Sequence, residues 1–269
     1  MNATDSPTVT RIACALAVAV VSLASAACSA GTSSIRAPQV PPAYTGAAAC
    51  HATGEPTVLA RKVFVPAGVE ATAQDGGFLV RFASTASRCL AVRWGSAGED
   101  PQAASCPTPG AGTAAREDAS DESMLAWESH DEPEPRIKLS VVAYDTPLSL
   151  LGARVGARST TKIVERTFLP PESSRDGGQT APALAPIGHD RFLLVWVDGN
   201  VESHELRAQS VVGWGDALGT SIVLSPKDAS VIGRPSVAVA PTGYGVVSYV
   251  ASIDGEFDVL ATPVACATN

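Results

Sequence analysis

The chain is short of positive charge. Nineteen Lys and Arg residues (19) stand against 27 Asp and Glu, for a formal net charge of −8. An acidic chain lacks the basic face that a phosphate backbone demands, which excludes nucleic acid as a partner. The same deficit excludes electrostatic adsorption to anionic lipid. Long apolar runs are also scarce. Residues 12–24 (IACALAVAVVSLA) form the one substantial run, and it falls short of the roughly 20 residues needed to cross a bilayer. Contact with a membrane therefore has to come through an anchor.

The familiar catalytic signatures are missing. The chain has no G-x-S-x-G nucleophile elbow, no H-E-x-x-H, no P-loop and no G-x-G-x-x-G. No cysteine pair has the short C-x-x-C spacing of a zinc site. His51, His130, His189 and His204 show no metal-ligand spacing within one element and read as surface-loop residues. Asp198, Asn200 and Glu202 alternate as oxygen ligands do, but the Gly and the final Glu of a calcium loop are absent. An exposed turn is the better reading, with Asp198-Gly199 equivalent to the hairpin turn expected at Asp254-Gly255. Acidic residues gather at 117–122 (EDASDE) and again at 128–134. Such groups could supply the paired carboxylates of a glycoside hydrolase, but between strands they read as solvated loops. No catalytic residue, metal or cofactor is assigned.

What is present begins with an export signal. Arg11 precedes the apolar run, which ends in the small residues Ala24-Ser25-Ala26-Ala27 required for signal cleavage. Ser25-Ala26-Ala27-Cys28 resembles the lipobox of bacterial lipoproteins, with Ser25 where that family usually carries Leu, Val or Ile. The resemblance implies that Cys28 is acylated and becomes the first mature residue. Ordinary cleavage after Ala26 or Ala27, releasing a soluble protein, is the alternative. Residues 1–27 thus read as signal peptide. Residues 28–49, rich in Ala, Ser, Gly, Thr and Pro, read as a flexible tether. Residues 50–269 remain for a folded domain.

That domain carries internal repeats. Four apolar runs end in an aromatic residue, at Phe82, Trp127, Trp196 and Tyr249, spaced by 45, 69 and 53 residues. A polar turn and a second strand-like run follow each. Leading strands ending at Gly turns appear before three units, with two of them starting at Pro182 and Pro235. Trailing strands appear near Lys162 and Thr220. The elements are short and bounded by Gly, Pro, Asp and Ser, which is all-β punctuation. Four strands per repeat at this spacing predict β-propeller-like repeats of four or five blades; a β-sandwich is the alternative. The last repeat lacks a trailing strand, and residues 57–65 form an unassigned strand near the start of the domain. Closure of the ring by that N-terminal strand would cover both free edges.

Setting aside Cys14 in the signal and Cys28, the domain holds Cys50, Cys89, Cys106 and Cys266. An even number in an oxidising compartment predicts two disulfides, with three connectivities open. Closure favours a Cys50–Cys266 clamp, which leaves Cys89 and Cys106 for a local bridge. The repeat pattern is similar to that of secreted bacterial lipoproteins with propeller-like repeats. The expected protein is a monomeric, exported component of the cell envelope, in the outer membrane or periplasm, with secretion as the alternative. It is expected to bind an unknown protein or glycan without catalysis; the rival reading is a secreted glycan-acting hydrolase.

Overall fold

A computed structural model of the chain describes residues 49–65, 68–74, 76–94, 101–107, 113–116, 122–131, 133–144, 160–168, 178–188, 191–200, 203–212 and 216–267. The signal, Cys28, nearly all of the tether and the acidic residues 117–121 lie outside them.

The described residues form four antiparallel sheets and no helix. The first contains β3 (Val69–Gln74), β4 (Gly77–Thr85), β5 (Arg88–Trp94) and β6 (Gln102–Ala104), paired in that order. The second contains β7 (Thr113–Arg116), β8 (Glu122–Ser129), β9 (Arg136–Tyr144) and β10 (Thr160–Thr167). The third contains β11 (Gly178–Gly188), β12 (Arg191–Asn200), β13 (Ser203–Val212) and β14 (Asp216–Val223). The fourth contains β15 (Ser230–Val239), β16 (Tyr244–Ile253) and β17 (Glu256–Ala265), and β1 (His51–Ala52) and β2 (Thr57–Ala60) both pair with β17. The chain is therefore all-β with propeller-like repeats, and the N-terminal strands complete the last sheet.

The leading strands pack side by side in the order β3, β15, β11, β7, as the inner strands of a propeller do. The central strands of the third and fourth sheets are buried on both faces, because the third sheet packs on the second and the fourth, and the fourth on the third and the first. In β12, Leu193, Val195 and Val197 face the fourth sheet, where they meet Val247, Tyr249 and Ala251. The intervening Phe192, Leu194 and Trp196 face the second sheet and meet Met124, Ile137 and Leu139. Strand β16 divides the same way: Val246 and Val250 face the first sheet, against Val80 and Phe82. The period of two along a strand thus sends alternate residues into different junctions. Phe82, Trp196 and Tyr249 are fully buried fillers. At the β16–β17 hairpin Asp254 (φ 52°) and Gly255 (φ 80°) both take the left-handed conformation of a tight two-residue turn.

Several boundaries differ from the sequence reading. β11 and β15 start at Gly178 and Ser230, well before Pro182 and Pro235. Proline cannot donate to a ladder, so each strand passes it in a bulge. The register shifts lie between Thr180 and Ala183, opposite Trp196, and between Ile232 and Ser236, opposite Tyr249. The strand expected over 57–65 stops at Ala60. Lys62 turns the chain at φ 56°, after which Val63 N–H donates to Phe257 O (2.8 Å) and Phe64 N–H to Ala83 O (3.0 Å). The segment so ties the fourth sheet to the first. His51 and His204 lie in β1 and β13 rather than in loops.

Cys50 is bonded to Cys266, at a sequence separation of 216, and Cys89 to Cys106, at a separation of 17. A cross-link limits the unfolded chain more as the loop it closes lengthens. The longer loop is worth about 2 kcal/mol more than the shorter one on the chain-entropy account. Replacing Cys50 and Cys266 together by Ala is therefore expected to lower stability by about 2 kcal/mol more than replacing Cys89 and Cys106. Urea denaturation of the two double variants checks this, and equal losses would refute it.

Candidate functional site

Antiparallel pairing puts the start of each leading strand and the end of the strand after it at the same end of a sheet. At that end the second, third and fourth sheets bring charged residues together. Glu128, near the end of β8, accepts a hydrogen bond from Ala181 N–H at 3.0 Å. Ala181 sits in the β11 bulge at φ 50°, a strained conformation for a residue with a Cβ. The bulge turns that N–H out of its own ladder and toward the neighbouring sheet. The other Glu128 oxygen lies 2.9 Å from His130 Nε2, on an imidazole that is largely exposed.

Two backbone contacts fix this junction. Gln179 N–H donates to Pro135 O at 2.8 Å. Gly178 comes so close to Pro135 that a Cβ there would overlap the proline ring. Arg234, half-buried in the β15 bulge, lies within reach of the Glu128 charge. Burial pushes the Arg234 guanidinium below its ordinary value, and the Glu128 carboxylate only partly offsets this. The β15 bulge also cross-links sheets, since Ser236 Oγ accepts from Ala71 N–H of the first sheet at 2.9 Å.

The acidic stretch 128–134 is largely engaged in local structure. Asp131 accepts from Ser129 Oγ (2.8 Å) and from Lys138 Nζ, and Glu134 pairs with Arg136 at 2.7 Å. Among the described acids of this stretch, Glu128 is the one that bonds to a leading strand.

Asp198 corrects an expectation. It is not in an exposed turn: the β12–β13 ladder runs past it to Asn200 and Ser203, and Asp198 is 1% exposed. Its Oδ2 lies 3.1 Å from Arg207 Nε, and Arg207 also contacts Glu205 (3.0 Å) and Ser221 (3.1 Å). A carboxylate can sit there because a guanidinium is directly beside it. Asn200 and Glu202 add nothing to a calcium reading: the Asn200 side chain and Glu202 lie outside the described residues, as does His189. No group of three His, Cys, Asp or Glu side chains placed to hold a metal occurs among the described residues.

Sequence reasoning did not single out Arg234, Gly178 or Gln179. The signal that could have found the first is the repeated Ala181-Pro182 and Arg234-Pro235, a residue followed by proline at the same place in two leading strands.

Fold and site together define an all-β protein of propeller-like repeats, with a polar end where Glu128, His130 and Arg234 gather. No protein-family description matches the chain, and no curated protein matches it. Among solved structures, it is similar to TolB from Acinetobacter baumannii at 10% identity, over 75% of this chain and 57% of that one, with a TM-score of 0.24. A likeness that low carries no weight, and the fold is stated from the strand pairing alone.

Two outcomes are expected. Glu128→Ala removes the acceptor of the Ala181 N–H and should cost about 1–3 kcal/mol, while Glu128→Gln, which retains an acceptor, should lose less; urea denaturation of the pair reads this. The Lys138 ammonium first, and then the Ser129 hydroxyl, hold the Asp131 carboxyl below its ordinary value. Its contribution is present above the ordinary carboxylate range and is lost as pH falls through the lowered value. An NMR titration should place the Asp131 midpoint below that of an ordinary Asp, and Lys138→Ala should move it upward.

Proposed function

We propose that the chain is an exported binding or scaffold protein of the cell envelope. In this reading it lacks catalytic activity and meets a protein or glycan partner through its polar end. One observation carries the proposal. Glu128, the acid best placed among the leading strands, has one oxygen on the Ala181 N–H and the other against His130. A carboxylate held in this way maintains the shape of a surface. It is poorly placed to shuttle a proton, which requires an oxygen open to the substrate.

The reading also draws on the export features of residues 1–27, the acylation proposed at Cys28 and the tether over 28–49. Two disulfides suit an oxidising compartment. The domain over 50–269 acts as a monomer in this account.

The test uses the mature domain as bait in envelope extracts, followed by direct binding of each captured component to the purified domain. Saturable binding that weakens at least tenfold in His130→Ala or Arg234→Ala supports the proposal. Binding indifferent to both variants would place the contact elsewhere and overturn it. Release of new reducing ends from envelope glycans by the purified domain would establish the hydrolase instead. For the anchor, Cys28→Ala is expected to move the protein out of the membrane fraction; retention there would refute acylation.

A further inference from the structure

The junction between the second and third sheets contains polar atoms that the protein itself does not satisfy. Gln179 and Gln209 are each 1% exposed, and Trp196 is 0% exposed. Both side-chain amide atoms of Gln179, Nε1 of Trp196 and Oε1 of Gln209 are buried without a hydrogen-bond partner. Strand pairing places them on one face. Gln179 is opposite Asp198, Trp196 opposite Arg207, and Gln209 opposite Leu194. Residues opposite one another share a face, as do residues two apart, so the three side chains form a diagonal line across β11, β12 and β13. That face packs on the second sheet.

Exchanging the oxygen and nitrogen of an amide does not cure the deficit. Trp196 Nε1 has no such exchange open to it. The Gln209 orientation is fixed, because its Nε2 donates to Gly219 O at 2.7 Å. A flip would set oxygen against oxygen there. The Trp196 ring is held by Phe168, edge to face at 5.3 Å between ring centres. Each buried orphaned group costs about 1–3 kcal/mol, so several together would consume much of the 5–15 kcal/mol that stabilises a typical domain.

We propose that this seam binds ordered internal water, with Gln179, Trp196 and Gln209 as its protein ligands. Water fits the donor set: it accepts from Trp196 Nε1 and Gln179 Nε2, and donates to the oxygens of Gln179 and Gln209. Buried water commonly serves this role, at about one molecule per 27 residues. The neighbouring junction is closed differently. There Tyr249 Oη and Thr262 Oγ1 both donate to Leu224 O, at 3.1 and 2.9 Å. The seam begins two residues from Ala181, so the hydrated line runs inward from the polar end of the sheets.

Two measurements on the full mature chain test this. A crystal structure at a resolution that shows solvent should place water within hydrogen-bond distance of Gln179, Trp196 Nε1 and Gln209 Oε1. In solution, the Trp196 indole N–H, assigned through Trp196→Phe, should show a water cross-peak despite its burial. Magnetic relaxation dispersion should count at least one fewer long-lived water in Gln179→Leu than in wild type. Direct protein partners for these atoms in the crystal, or a Trp196 N–H without a water cross-peak, would overturn the proposal. Because the wild-type readings suffice alone, a variant that fails to fold leaves the outcome decided.

Discussion

Without β1 and β2, the outer edge of β17 would be bare. A sheet edge presents a row of unsatisfied N–H and C=O groups and invites pairing with another chain. The closing strands are too short to hold that edge by themselves: β1 has two residues and β2 four. The Cys50–Cys266 bond fixes one end of the closing segment, and Cys50 N–H also donates to Ser210 Oγ at 2.9 Å. At the other end Lys62 N–H donates to the buried Asp258, and the next two residues bond to the fourth and first sheets. The closing segment therefore joins the third, fourth and first sheets through few contacts, and its covalent clamp fixes it to the end of β17.

Once the last sheet is complete, the central strands of the third and fourth sheets are buried from both sides. That accounts for a sequence feature that would otherwise look contradictory. Strands β12 and β16 read as nearly unbroken apolar runs, although their sheets are antiparallel. Antiparallel sheets with one wet face alternate polar and apolar residues; these do not, because both faces are covered. Strand β4 does alternate, with Phe78, Val80 and Phe82 buried and Leu79 and Arg81 less so. The two junctions served by β12 differ in chemistry as well. Its odd-numbered residues enter an apolar cluster with the fourth sheet, and its even-numbered residues meet the second sheet beside Asp198, Gln179 and Gln209. One strand thus contributes apolar side chains to one junction and both apolar and polar ones to the other.

This geometry explains what could be read in advance. Repeats of an apolar run closed by an aromatic residue were visible because Phe82, Trp196 and Tyr249 fill junctions at comparable places in their sheets. Trp127 keeps its place in the pattern but is only half-buried, so a shared motif did not guarantee a shared role. Closure was legible from an unpaired strand near one end and a missing one at the other. The bulged leading strands were not. A proline in a strand pattern argues for a boundary, and only tertiary pairing reveals that the strand continues past it. β6 and β7, at three and four residues, are too short to show periodicity. Asp198 was misread because Asp-Gly is a strong turn signal; its ionic partner Arg207 lies nine positions on and becomes adjacent only through the ladder. Gln179 and Gln209 gave no signal, since a glutamine in a strand looks like a solvent-facing residue.

The polar end depends on the bulges that hid it. The bulges add cross-sheet bonds to those an unbulged leading strand makes, such as that of the Ala71 N–H of β3. At Ala181 the bulge frees an N–H for Glu128, and beside the β15 bulge Ser236 Oγ accepts from Ala71 N–H. Proline supports this arrangement by removing a donor where the ladder is broken in any case. The same distortion brings Arg234 into the range of Glu128. Glu128 therefore both ties two sheets together and gives this end part of its charge. A partner docking there would touch the junctions themselves, and its binding would be felt as a change in how firmly the second, third and fourth sheets hold one another.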